Sequence, residues 1–229
     1  MERAYRTAAA EFHTLTAMRP LLLAAFALFG PFLTGCGSSG GLDNAPRPQE
    51  VSLTYELPEP PEPTKPAVAV VIATGEETFP HDSQGRRVIG FHDTSKKKAD
   101  VVTIEPMGRW VSEAIAGELR FAGYQAAAVD DASGAICVVR PKIEELRLNS
   151  RTVVYNEEES VTIGLSYTVE LGGTVVGSDS YSLRRDFSPF ASIGPSKRVA
   201  LEKTLRDVLI KIIPRMSKMI DSGGAGPVQ

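Results

Sequence analysis

VTIGLSYTVELGGTVVGSDSYSLRRDF, residues 161–187, holds two runs of strand character on either side of Gly172-Gly173. Two glycines between such runs signal a two-residue β-hairpin turn, because both central positions need positive φ. Residues 161–171 are therefore read as one strand, and 174–187 as its antiparallel return. Just upstream, ICVVRPKIEELRLNSR, residues 136–151, reads as a long third strand, in which Pro141 implies an edge or a bulge. Cys137, in its apolar start, reads as a small buried hydrophobe.

Working outward, AVAVVIA at 67–73 is a nearly continuous apolar run, as expected of a strand covered on both faces. The polar stretch 74–100 reads as an exposed loop with room for a short hairpin. A helix is predicted from about Pro106, since proline suits a first helical turn. Met107, Trp110, Val111, Ala114, Ile115 and Leu119 recur on it at helical spacing, and Gly123 suits a left-handed cap. A short strand follows at 124–129. A last helix from about Ser196 carries Val199, Leu201, Leu205, Val208, Leu209, Ile212, Met216 and Ile220 in one stripe, with a kink expected at Pro214. The expected fold is a two-layer α/β sandwich, two helices packed on one face of a mixed, mostly antiparallel four- to five-stranded sheet.

The 229 residues favour one domain or two small ones. A formal charge of −3 gives no global basic surface, so no nucleic-acid partner is expected. Two cysteines, Cys36 and Cys137, are too few for a disulfide framework or a cysteine-pair zinc site. Residues 21–33 are apolar and follow Arg19-Pro20. Thirteen helical residues rise about 20 Å, short of the bilayer's hydrocarbon thickness, so this run reads as a secretory signal rather than a spanning helix. Glu2 and Glu11 are unusual ahead of such a signal, and Met18 would make a tidier start than Met1.

The run ends in Leu33-Thr34-Gly35-Cys36, which resembles a bacterial lipobox. That resemblance implies recognition of Leu33, Thr34 and Gly35 by the signal peptidase. It also implies diacylglycerol on the Cys36 thiol, cleavage before Cys36 and acylation of its new amine. Three acyl chains exceed the two signals that stable anchoring needs. Gly37, uncharged, follows the cysteine and offers no inner-membrane retention carboxylate, so outer-membrane attachment with the domain in the periplasm is expected. The predicted organisation is a signal peptide at 1–35, a Pro/Gly/Ser-rich tether at 36–66, the α/β domain at 67–221 and a disordered tail at 222–229. Within the tether Val51, Leu53, Tyr55 and Leu57 alternate with polar residues, the pattern of a short half-buried strand able to dock on the domain edge, ended by Pro58.

Reaction chemistry is hard to assemble from the rest. His81-Asp82 and His92-Asp93 lie on the polar stretch without a third clustered ligand type, and no metal or other cofactor is expected. There is no G-x-S-x-G element. Glu144 and Glu145, adjacent on a strand, should point to opposite faces and cannot pair. Glu157-Glu158-Glu159 reads as a solvated turn, and Lys96-Lys97-Lys98 as a soluble loop tip, although such a run also suits anionic headgroups.

Taken together, LTGC, AVAVVIA and ADVVTIEPMGRWVSEAIAGELRFAGYQ, then the long strand, hairpin and last helix, resemble the YajG family of bacterial lipoproteins over residues 50–220. The resemblance implies a non-enzymatic envelope lipoprotein that binds or scaffolds an envelope protein partner. The alternative is an auxiliary lipoprotein subunit of a lipid or solute ABC transport system, with an apolar groove between helices and sheet.

Overall fold

The computed structural model describes residues 46–65, 69–94, 97–153, 156–187 and 196–224. The glycine pair turns the chain as its chemistry requires: Gly172 and Gly173 have φ of 56° and 79°, and Leu171 pairs with Thr174 across them. The two strands so joined are labelled, with the rest, in chain order. They are β1 (Gln49–Glu50), β2 (Val70–Ala73), β3 (Arg87–Thr94), β4 (Lys97–Thr103), α1 (Met107–Phe121), β5 (Ala126–Val129), β6 (Cys137–Val153), β7 (Asn156–Leu171), β8 (Thr174–Phe187) and α2 (Lys197–Gly224). Helix α2 thus runs three residues past the expected domain end at 221, and residues 225–229 lie outside the described part.

The sheet is larger and more parallel than expected. Among the described residues eight strands form one sheet rather than four or five. The β1–β4, β2–β5, β2–β6 and β3–β6 pairings are parallel, and β3–β4, β6–β7 and β7–β8 are antiparallel. The extra strands come from two segments whose polarity hides them. The stretch 74–100, expected as a loop, contains β3 and most of β4, and the proline-rich lead supplies β1. Strand β6, 17 residues long, lets β2 and β3 share one of its edges end to end, β2 opposite Cys137–Val139 and β3 opposite Leu148–Arg151. One half of the molecule therefore reads β8-β7-β6-β2-β5 and the other β8-β7-β6-β3-β4-β1. Pro141 is not at a sheet edge. It falls between β2 and β3, where the neighbour on that side is the isolated Glu76–Lys142 bridge, and the bulge comes between Ile143 and Glu145.

Both helices lie on one face, as expected. Val161, Ile163, Leu165, Tyr167 and Val169 alternate along β7 toward them and are at most 2% exposed. They meet Leu201, Leu205, Leu209 and Ile212 of α2 in the same core as Met107, Val111, Ile115 and Leu119 of α1. The other face of β7 and β8 carries Thr162, Ser166, Thr168, Ser178, Ser180 and Ser182, the pattern of an antiparallel sheet with one solvated face. Cys137 is fully buried, and burial pushes its thiol pKa up to about 11. Helix α1 is pinned at its start. Ser112 Oγ donates to Ala73 O (2.8 Å) and accepts from Gly75 N–H (3.0 Å). The backbones approach so closely there that a Cβ on Gly108 would lie 2.0 Å from Gly75 O. Pro214 lies on the exposed side of α2, which continues as helix through it.

Candidate functional site

The residues that sequence reasoning singles out for processing and sorting, Leu33, Thr34, Gly35, Cys36 and Gly37, lie outside the described residues. What the structure does show is how the chain that follows them is held. Residues 46–65, expected within the tether, form a strap over the domain. Pairing of β1 with β4 continues into a bond from Val51 N–H to Val102 O (2.9 Å). The alternating residues then behave as their pattern implies: Val51 and Leu53 join the core at 6% and 8% exposure, and Tyr55 packs against it.

From there the strap runs along both helices. Tyr55 Oη donates to Glu118 of α1 (2.5 Å), and the Arg206 guanidinium of α2 lies 5.5 Å from the Tyr55 ring centre. Burial, then the neighbouring Glu118 carboxylate, pushes the Tyr55 hydroxyl pKa well above its usual value. Arg206 also donates to Glu56 O (2.8 Å), and Arg198 to the Glu56 carboxylate (2.9 Å). Leu57 sits against Gly117, where a Cβ would come within 2.4 Å of its Cδ1. Further on, Thr64 and Lys65 N–H both donate to Gly123 O, and Lys65 Nζ pairs with Asp221 at 2.7 Å. Ties to α1 and α2 alternate along the strap, so it occupies the outer groove between the helices.

A second cluster gathers charged groups that the sequence scatters. His92 is not on an exposed loop but on β3, 9% exposed, with Nδ1 2.6 Å from Ser150 Oγ and 3.1 Å from Glu157 Oε1. Lys197, at the start of α2, pairs with Glu157 and with Glu159 Oε1 (3.4 Å). So the triple glutamate is no uniformly solvated turn: it begins β7, and Glu159 is 7% exposed. Burial raises the Glu159 pKa above its usual value despite Lys197, and its Oε2 has no hydrogen-bond partner among the described residues. Burial also works to raise Glu157, but the Lys197 bond and charge outweigh it and hold that carboxyl below its usual value.

Serine, histidine and glutamate in contact suggest a nucleophile relay, and the geometry argues against one. A relay needs the serine on one ring nitrogen and the acid on the other. Here both meet Nδ1, so the ring cannot pass a proton from Ser150 toward Glu157. His81 bridges to Arg87 by backbone pairing, apart from this cluster. No group of three or more metal-ligating side chains occurs among the described residues.

The expectation that Glu144 and Glu145 point to opposite faces is overturned by the bulge between Ile143 and Glu145. Ser166 donates to Glu144 (2.6 Å), and Glu145 Cβ lies against Gly164; both neighbours are on the solvated face. The extra residue of the bulge resets the alternation. The two carboxylates still engage different cations, Lys142 at 3.2 Å and Arg147 at 3.8 Å.

Fold and strap define an α/β domain of two helices on a large mixed sheet, with its N-terminal lead bound into the inter-helix groove. No protein-family model and no curated relative matches the chain. Among solved structures it is similar to protein XCC0632 from Xanthomonas campestris, of family DUF330. The TM-score is 0.51 at 12% identity, covering 78% of this chain and 100% of that one. At that identity the likeness concerns the fold alone. Looser likenesses are to lipoprotein GNA1162 from Neisseria meningitidis (TM-score 0.34, 10% identity, 66% of this chain, 99% of that one) and to a minor lipoprotein from Acinetobacter baumannii (0.32, 11%, 70% and 98%).

Proposed function

We propose that the protein is a YajG-like envelope lipoprotein, anchored to the outer membrane through acylated Cys36, whose periplasmic domain binds or scaffolds an envelope protein rather than catalysing a reaction. The observation that carries this is the sequence LTGC at the end of a short apolar run, followed by a chain that the domain binds as a strap. No described helix is long and apolar enough to cross a membrane, so attachment in this reading falls to the lipid. The outer groove between the helices is filled by the chain's own Tyr55 and Leu57.

Fatty-acid probe labelling in cells tests the anchor: Cys36→Ala should abolish labelling and leave an unprocessed precursor. Equal labelling of that variant would remove the anchor. Separation of the two membranes tests the address: the wild type should travel with the outer membrane, and Gly37→Asp should shift it inward.

A further inference from the structure

We propose that the end of the domain where the strap begins rests on an anionic phospholipid surface, contacted by Arg47, Lys97, Lys98 and Arg151. This rests on the lipid-anchor reading of Cys36. The first reason is reach. A free tether of thirty residues would let the domain stand at any angle. Because the chain is bound from Gln49 onward, only residues 37–48 separate Cys36 from the first strand, at most about 45 Å when fully extended.

The second reason is direction. Strand β1 runs parallel to β4, with Gln49 opposite Val101. The residues before Gln49 therefore leave the domain beside the start of β4, where Lys97 and Lys98 lie. Asp93 of β3 is opposite both Lys98 and Arg151, which brings the end of β3 and the far part of β6 to the same place. The lead thus draws this end toward the bilayer, and holds the Gly172–Gly173 end, with the start of β6, away from it.

The third reason is the chemistry of that end. Arg47, Lys97, Lys98 and Arg151 are exposed, with the acidic Asp93, Glu158 and Asp186 and a further cation, Arg184, along the same surface. The Lys98 ammonium lies 3.8 Å from the ring centre of Phe91, itself 37% exposed, so an apolar ring and a cation are presented together. Such a pair suits an interface of phosphate headgroups over acyl chains. Each basic residue close to an anionic surface strengthens partition to it by roughly fivefold.

The test uses the full mature chain, acylated and reconstituted in vesicles that carry a headgroup-bound quencher. A fluorophore is placed on Asp93→Cys at the near end or on Ser133→Cys at the far end; buried Cys137 takes no label in the folded protein. Quenching at position 93 should exceed that at 133 severalfold on vesicles rich in anionic phospholipid. It should fall severalfold on neutral vesicles and in the Lys97→Glu/Lys98→Glu variant. Equal quenching at the two positions overturns the proposal, as does quenching at 93 that ignores lipid charge. The mass of the purified chain separates the two readings: absence of acyl chains overturns the anchor, whereas an acylated chain with equal quenching overturns only the orientation.

Discussion

Glu159 shows how one residue sets a pH response. Its carboxylate is 7% exposed, and Oε2 lacks a partner among the described residues. Its folded pKa is raised, so the folded state holds the proton more tightly than the unfolded chain does. The ionised carboxylate therefore lowers stability increasingly as pH rises through the usual glutamate range and beyond, up to the folded pKa. Below that range the cost is absent. Glu157 works in the opposite sense: its contribution is present above the unfolded pKa and is lost as pH falls through the lowered folded one. Glu159→Gln removes the buried charge and leaves Lys197 paired with Glu157. We expect it to stabilise the protein by about 1 kcal/mol at neutral pH and to give no gain below about pH 4. Thermal melts across that pH range check this; a variant less stable than wild type at pH 7 would show that the Lys197 pairing outweighs burial.

At the scale of an element, the strap behaves as secondary structure supplied by side chains. It makes few backbone ladder bonds and depends on anchors spaced along both helices. Tyr55 is the anchor with ties to both, through Glu118 and Arg206. Tyr55→Ala should cost about 2 kcal/mol and open residues 46–65 to protease while the sheet and helices stay folded. Limited proteolysis with mass analysis of the fragments follows this directly. Cleavage of the wild-type strap as fast as that of the variant would show that Tyr55 does not hold it.

On the scale of the whole molecule, one hydrophobic core joins strap, helices and sheet: Val51 and Leu53 belong to the same cluster as Trp110, Leu148 and Leu205. The two halves of the sheet are further bound together by β6, β7 and β8, which run through both. Unfolding should therefore be a single cooperative step. Fluorescence of Trp110, the single tryptophan, and far-UV circular dichroism should give coincident denaturant transitions. Separated transitions would mean that one half melts by itself.

What was legible in the sequence is what depends on near neighbours along the chain. Two glycines needing positive φ declare the 172–173 turn, and a 3.6-residue stripe declares both helices. The alternation of Val51, Leu53, Tyr55 and Leu57 marks a surface that wants cover. The motif ending at Cys36 is local as well, and it falls outside the described residues. By contrast, β3 and β4 are strands because β6 offers the edge beyond Pro141, and their own residues, RVIGFHDT and KKADVVT, carry too many charges to say so. The faces of Glu144 and Glu145 follow from a bulge that exists only against β7. His92 is buried because Ser150, 58 positions away, is brought opposite it. The destination of the strap likewise depends on a groove made by α1 and α2, whose contact residues lie some 60 to 150 positions further on. The sequence by itself determined the helices, the hairpin and the apolar faces, because torsional preference and side-chain period act over a few residues. Only the tertiary structure decided the width of the sheet, the burial of His92 and Glu159, and the end from which the lead departs. Those depend on which distant edges and grooves meet, and no local preference encodes that.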